Sequence, residues 1–216
     1  MSLEDDQWLQ ATLPVKSGGL GIRRAHQIAP SAYLASASGT AALVSTILPD
    51  RLQTVFDQYT PQALAAWTAL GGSTPPSGDS ASSQRAWDQE IVQKPTDHLL
   101  AAAPDDYNRA RLMAVSSPHS GDWLNAPPIT AIGLRMTNEA IRVAAGLRLG
   151  ANLCVPHTCR CGASVTARGN HGLSCMRSVG RQQRHAMIND IIYRSLGRAK
   201  HHRVKGTNWS SGGVQS

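Results

Sequence analysis

Cys159-Arg160-Cys161-Gly162-Ala-Ser-Val-Thr-Ala-Arg168-Gly169-Asn-His171-Gly172-Leu-Ser-Cys175 gathers three of the chain's four cysteines and one of its eight histidines into a single short span. The spacing is Cys-x-Cys-x9-His-x3-Cys. Zinc takes four soft or borderline ligands in a tetrahedron, usually as two close pairs joined by a loop. Cys159 and Cys161 supply the first pair, His171 and Cys175 the second. Gly162, Gly169 and Gly172 stand beside these ligands, where a knuckle's backbone has to turn sharply. One residue between the first two cysteines is tighter than the roughly two to four that are usual. Cys154 and His157 therefore stay open as replacement ligands if the tight pair cannot chelate. The plainer alternative is a set of reduced, partly buried cysteines in a glycine-rich loop.

Around this span the charge is one-sided. Residues 141–216 carry 12 Lys and Arg against a single carboxylate, Asp190, a net +11; residues 1–140 carry 9 against 13, a net −4. Five of the eight histidines also fall in the last third. A solvated face ordinarily mixes signs, so a field of one sign points to a polyanion, either nucleic acid or an anionic membrane. Arg160, Arg168, Arg177, Arg181 and Arg184, with His185, flank the knuckle and are the expected nucleic-acid contacts. Arginine bonds phosphate bidentately and stacks on bases. Aromatic residues are scarce there, so backbone charge and shape are expected to dominate over sequence readout.

Nothing approaches the roughly 20 consecutive apolar residues that a membrane span needs. The acidic start, Met1 to Gln7, is unlike a signal or transit peptide. The expectation is a nuclear or cytoplasmic, reducing compartment and no membrane partner. Cysteines there serve metal binding or plain burial more often than disulfides.

Upstream of residue 150 the pattern is helical. With one Phe, four Tyr and five Trp, the core is expected to be built mainly from Ala, Leu, Ile and Val, which suits close-packed helices. Residues 12–24 read as a loop in which Gly18, Gly19 and Gly21 make tight turns; no strand–turn–helix context supports a dinucleotide fingerprint. A helix is expected over residues 30–48, starting at Pro30, with Tyr33, Leu34, Ala37, Ala41, Val44 and Leu48 as its buried stripe. Shorter helices are expected over 53–58, 61–70, 84–93, 97–103 and 105–115, with a loop carrying Trp123 over 118–128. The Gly/Ser/Pro-rich residues 71–83 read as an exposed flexible linker. The best-marked helix has Thr137 as its cap, Glu139 in its first turn and Gly150 at its close. Asp105-Asp106 follows Pro104 and reads as an ordinary helix start rather than a polymerase metal site, since no third acidic partner accompanies it. Asp5-Asp6 is read the same way.

Leu13-Pro-Val-Lys-Ser-Gly-Gly-Leu-Gly-Ile-Arg-Arg-Ala25 and Ala29-Pro-Ser-Ala-Tyr-Leu-Ala-Ser36 resemble the segment that follows the polymerase in non-LTR retrotransposon reverse transcriptases. Gly146-Leu-Arg-Leu-Gly150, the knuckle, and Gly180-Arg181…Arg184-His185…Asn189-Asp190 resemble what comes next, collinearly over about residues 7–200. The resemblance implies target-DNA and element-RNA binding by the linker and knuckle. It also implies that residues 184–196 begin a restriction-like endonuclease. The polymerase aspartates of that family would lie upstream of Met1 and the nuclease carboxylates beyond about residue 205, so no catalytic residue is assigned. Asp190 alone cannot hold the metal that phosphodiester hydrolysis requires.

The expected fold is mostly α: a helical, thumb-like linker region, then a small Cys/His zinc knuckle and a disordered basic tail. Its parts are 1–70 as a helical post-polymerase segment, 71–83 as flexible linker and 84–152 as a helical linker domain. The zinc knuckle follows at 153–182, the first helix of a truncated nuclease at 183–200, and a disordered tail at 201–216. The expected function is nucleic-acid binding without catalysis; RNA-versus-DNA preference and oligomeric state are left open. Two other readings are a retained nuclease or polymerase activity, and a helical protein-interaction module whose zinc is purely structural. Read from the second nucleotide of the Gly206 codon, Gly206-Thr-Asn-Trp-Ser210 permits Glu-Pro-Thr-Gly-Leu, a segment of the kind that follows this helix in the family. The tail is accordingly expected to be a frame-shifted remnant of a truncated element.

Overall fold

The structure, a computed structural model, describes residues 3–52 and 59–204. The expected helix over 53–58 lies outside them. The chain divides into two compact units, Met1–Ala151 and Asn152–Ser216. Among the described residues the elements are helices, apart from one two-stranded sheet.

The first unit begins with α1 (Asp5–Thr12), capped by a reciprocal pairing of Glu4 and Gln7. A single 3-10 turn, Val15–Ser17, follows, and then α2 (Ala25–Ile47). The turn needs its glycines. Gly18 and Gly21 have φ of +88° and +72°, and a Cβ on Gly19 would lie 2.0 Å from the Leu13 carbonyl oxygen.

Helix α2 starts at Ala25, before the expected Pro30, which falls in its second turn. Proline there removes the N–H that would bond to the His26 carbonyl, a cost offset by burying Pro30, Ser31, Leu34 and Ala35. The expected stripe is correct only at Leu34: Tyr33, Ala37, Val44 and Leu48 are half-buried and Ala41 is exposed.

Against this buried face pack α3 (Tyr59–Ala69) and α4 (Gln84–Ala101). Leu34, Ala35, Trp67, Trp87 and Ile91 form one core cluster. Two tryptophans thus sit at the centre of a core expected to be aliphatic. Their rings meet edge to face, centroids 5.2 Å apart and planes at 84°. Each indole N–H has a carbonyl: Trp67 donates to Trp87 O at 2.9 Å, and Trp87 to Ala81 O at 2.8 Å.

This cluster also corrects the reading of residues 71–83 as a flexible linker. The stretch is largely exposed, as expected, but it closes a loop between helices that share one core. Gly78–Ser82 forms a 3-10 turn lying on α2, and the Glu90 carboxylate accepts from Ser73 N–H, the Ser73 hydroxyl and Thr74 N–H. Those bonds, chiefly from Ser73, hold the Glu90 carboxyl below its ordinary range. Residues 1–70 and 84–151 are therefore parts of one unit, and Asn152, expected at the end of the helical linker domain, falls in the second.

Helix α4 runs unbroken through Pro95, where two helices were expected, because Trp87, Ile91 and Leu99 are buried along its length. Leu99 joins Leu13 and Leu112 in a second cluster, bordered by Leu9, Val92, Leu100 and Ala103. Leu112 belongs to α5 (Asp106–Val115), whose cap, Asp105, accepts from both the backbone N–H and the side-chain amide of Asn108 at 2.7 Å. The Asp105-Asp106 pair is thus a helix start. The 118–128 loop contains one helical turn, α6 (Asp122–Asn125). Helix α7 (Asn138–Leu149) follows the expected signals: Thr137 Oγ1 accepts from Ala140 N–H and Gly150 closes in the left-handed conformation, φ +69°.

The second unit holds β1 (His157–Thr158), β2 (Ser164–Val165), α8 (His171–Ser174) and α9 (Val179–Val204). Helix α9 continues past Lys200 to Val204, so the expected tail does not begin at 201; residues 205–216 lie outside the described part. None of the described helices is long and apolar enough to cross a membrane.

Candidate metal centre

Two local structures bring the four candidate ligands together. The first is a hairpin. Strands β1 and β2 pair antiparallel, His157 opposite Val165 and Thr158 opposite Ser164. The turn between them is closed by Cys159 N–H to Ala163 O at 2.9 Å and Gly162 N–H to Cys159 O at 2.8 Å. Gly162 adopts φ +90°, a conformation that lets the chain reverse directly after Cys161. With so sharp a reversal, one intervening residue is enough for Cys159 and Cys161 to face a common centre. Val165, buried at 5% exposure, anchors the second strand.

The second is the single turn α8. His171 and Cys175 stand four apart, a spacing that places both on one side of a helical turn. Cys175 N–H donates to His171 O at 2.9 Å, which fixes the pair. The lead into this turn is shaped by Gly169, at φ +70°, whose N–H bonds to Thr166 O at 2.9 Å.

The ligand atoms of Cys159, Cys161, His171 and Cys175 all lie within 4.8 Å of one another. Cys159 Sγ and Cys175 Sγ are 3.7 Å apart, and Cys161 Sγ and His171 Nε2 are 3.2 Å apart. A tetrahedral ion with thiolate bonds of about 2.3 Å and an imidazole bond of about 2.0 Å sets sulfur–sulfur edges near 3.8 Å and sulfur–nitrogen edges near 3.5 Å. The Cys159–Cys175 pair fits without adjustment, the Cys161–His171 pair has to open by a few tenths of an ångström, and a pair as far apart as 4.8 Å has to close by about 1 Å. The four cysteines are free thiols, so no disulfide competes for these sulfurs. The cluster can hold a metal ion.

Electrostatics favour a thiolate at one corner. The backbone N–H of Cys161, then its thiol and the His171 ring, hold the Cys159 thiol down to about 6. Cys175 moves the other way. The Arg177 N–H favours its thiolate, but burial and the neighbouring Cys159 and Cys161 outweigh that and push it up. One corner is thus set to ionise first, and a cation at the centre draws the remaining thiols after it.

The two reserve ligands stand elsewhere. Cys154 Sγ contacts the carbonyls of Thr166 and Ala167 at 3.4 and 3.6 Å, and the His157 ring nitrogen Nδ1 meets its neighbour's carbonyl, Val155 O, at 2.8 Å. Neither belongs to the cluster.

The candidate nucleic-acid residues are distributed around this core. Arg177 Nη1 donates to Arg160 O at 2.8 Å, tying the segment after Cys175 to the hairpin turn. Arg160 and Arg177 are exposed and Arg168 is half-buried. His185 is exposed on α9, its ring 3.3 Å from the Asn189 side-chain amide. The side chains of Arg181 and Arg184 lie outside the described part. Asp190, the one carboxylate of the region, is paired with Arg194 one turn on, which holds its carboxyl below the usual range. The Arg177 clamp on the Arg160 carbonyl was not foreseeable from sequence, because a side chain bonding a backbone oxygen leaves no compositional trace.

No protein-family model matches the chain, and comparisons with curated proteins and with solved structures give no match.

Proposed function

We propose that this chain binds nucleic acid through a zinc knuckle, and that it corresponds to the part of a non-LTR retrotransposon reverse transcriptase that follows the polymerase. The observation that carries the reading is the four-donor cluster set in a strongly basic unit. Cys159, Cys161, His171 and Cys175 offer the donor set that selects zinc among common intracellular ions: three thiolates and one imidazole. Zinc here would be structural, since all four positions are filled by protein and none remains for a reacting water. Residues 152–216 carry ten Lys and Arg against Asp190 alone. Arg160, Arg168, Arg177, Arg181, Arg184 and His185 would meet the phosphate backbone of target DNA and element RNA. The reading assigns no catalytic residue. It places the protein inside the cell, in the nucleus or cytoplasm.

The test is fluorescence anisotropy of the zinc-loaded full chain on duplex DNA and on single-stranded RNA across a salt series. Phosphate contacts release counterions, so affinity has to fall steeply and log-linearly with salt. An affinity indifferent to salt overturns the reading.

That outcome would favour the second reading, a helical interaction module with a purely structural zinc. One observation speaks for it. Met187, Ile188, Ile191, Ile192 and Leu196 share one side of α9 and are between 52% and 65% exposed. So large an apolar face on one helix is uncommon where nothing docks.

A further inference from the structure

Far from the knuckle in sequence, the first unit contains a polar cleft of about 560 Å3. That volume is in the range of small-ligand sites. One wall is the glycine turn between α1 and α2, contributing Lys16 and, a little further on, Arg23; the other is the first half of α4, contributing Gln84, Arg85, Asp88 and Gln89. These α4 positions recur at i, i+1, i+4 and i+5 and so share one helix face.

The charges in the cleft are unbalanced. Arg23 and Asp88 form a half-buried fork, Nη1–Oδ2 at 3.1 Å and Nη2–Oδ1 at 3.3 Å, side chains 20% and 15% exposed. Asp88, the only carboxylate lining the cleft among the described residues, is thereby paired with Arg23. Lys16 and Arg85 have no hydrogen bond or ion pair among the described residues, and neither do the amides of Gln84 and Gln89. Two uncompensated cations thus face one polar cavity within a stretch, residues 1–140, that is net −4. Lys16 and Arg85 are exposed at the mouth of this concavity, in an otherwise acidic stretch of chain. The start of α4 adds to it in the same sense, because its cap residue Ser83 makes no side-chain bond to the first turn.

We infer that this cleft is a binding site for a phosphate group, held by Lys16 and Arg85 with Arg23 as a fixed third cation and Gln84 and Gln89 as neutral hydrogen-bonding partners. The net charge of the lining, three cations against Asp88, matches a phosphate monoester, which carries about −1.5 to −2 at neutral pH. It also matches two successive phosphodiesters of a polynucleotide. Arginine supplies the planar fork that suits phosphate oxygens and lysine a mobile point charge. The site goes beyond the knuckle reading and does not depend on it, since none of its residues lies past Gln93.

The experiment is calorimetric titration of the zinc-loaded full chain with adenosine monophosphate, adenosine, inorganic phosphate and a short single-stranded oligonucleotide. The oligonucleotide is titrated into a background in which Arg160, Arg168, Arg177, Arg181, Arg184 and His185 are all replaced by Ala, which removes the proposed contacts of the knuckle and the helix after it. Lys16→Ala/Arg85→Ala is the test variant. Both side chains are exposed, so folding is expected to be unchanged, and unfolding curves check that. The expected result is binding of the monophosphate but not of adenosine, weakened about a hundredfold in the double variant, roughly tenfold per charge-assisted contact. Arg85→Lys is expected to restore part of the loss relative to Arg85→Ala. Binding of the oligonucleotide alone, with the same loss in the double variant, also supports the site and identifies the ligand as a phosphodiester chain. If no phosphate-bearing probe binds in a manner sensitive to Lys16 and Arg85, or adenosine binds as tightly as its monophosphate, the assignment is overturned.

Discussion

Arg148 Nη2 donates to the carbonyl oxygen of Val15 at 2.7 Å, joining the end of α7 to the glycine turn across 133 residues. The same guanidinium donates to Gly19 O at 3.0 Å and to Ser120 O and Val115 O, each at 3.2 Å. Its partners are carbonyls rather than a carboxylate, one of them the last residue of α5, where the helix dipole is negative. Burial lowers the Arg148 pKa, yet the group stays charged because guanidinium titrates so high. Beside it Gln10, also buried, donates to Gly18 O and Arg148 O and accepts from Arg111. Replacing Arg148 strands several buried carbonyls at once. Arg148→Met is expected to cost about 3 kcal/mol in chemical denaturation, and Arg148→Lys to recover little, since one ammonium cannot span the four oxygens. A loss below about 1 kcal/mol for either variant would show that water satisfies these carbonyls.

Gly72 lies flat against an indole. A Cβ built there would stand 2.3 Å from the Trp67 ring, which is 1% exposed and cannot retreat. Gly72→Ala is therefore expected to destabilise the first unit by about 1–3 kcal/mol, although alanine restricts the unfolded chain and at a permissive site would stabilise it. Urea midpoints of the two proteins decide the sign. A neutral or stabilising Gly72→Ala would mean that the loop over Trp67 yields easily, as a flexible linker would.

For the metal-free knuckle the depressed Cys159 thiol gives a signed pH dependence. Thiolate stabilised in the folded hairpin adds stability above the ordinary thiol value, about 8.5, and that contribution is lost as pH falls through about 6. Peptide-resolved alkylation of the reduced, chelator-treated full chain is expected to show Cys159 reactivity rising through about pH 6. If Cys159 reacts only above about pH 8, the Cys161 N–H and the His171 ring are not holding a thiolate in the absence of metal.

The basic unit predicts how salt and arginine interact. Replacing Arg177, Arg181 and Arg184 together is expected to reduce the slope of log affinity against log salt on duplex DNA by roughly two to three units, at about 0.9 per lost phosphate contact. Anisotropy titrations over a salt series measure it. An unchanged slope in the triple variant would remove these residues from the phosphate interface and leave Arg160, Arg168 and His185 as the remaining candidates.

How far the sequence could be read follows from the range of the signals involved. Thr137, Glu139 and Gly150 are local signals, and α7 starts and stops where they say. The four cluster residues lie within 17 positions of one another, and their identity and spacing mark them without knowledge of the rest of the chain. Signals that depend on distant partners mislead. Pro30 reads as a helix start, but α2 begins at Ala25, and burial of Pro30 with Ser31, Leu34 and Ala35 offsets the hydrogen bond that proline removes. Residues 71–83 have a linker's composition, yet the core on either side of them is shared, which only the packing reveals. Lys16, Arg23 and Arg85 lie up to 69 positions apart, and nothing in their local sequence suggests a common cleft.

The most direct measurement is the zinc content of the purified, reduced chain and its single-cysteine variants, by atomic emission with matched protein quantitation. The cluster geometry predicts one zinc per chain in the wild-type protein, none in Cys175→Ser, and full occupancy in Cys154→Ser, because Cys154 Sγ sits on the Thr166 and Ala167 carbonyls and outside the four-donor set. Cys159→Ser and His171→Ala are expected to behave as Cys175→Ser does. Metal that survives Cys175→Ser and disappears with Cys154→Ser would contradict the ligand assignment.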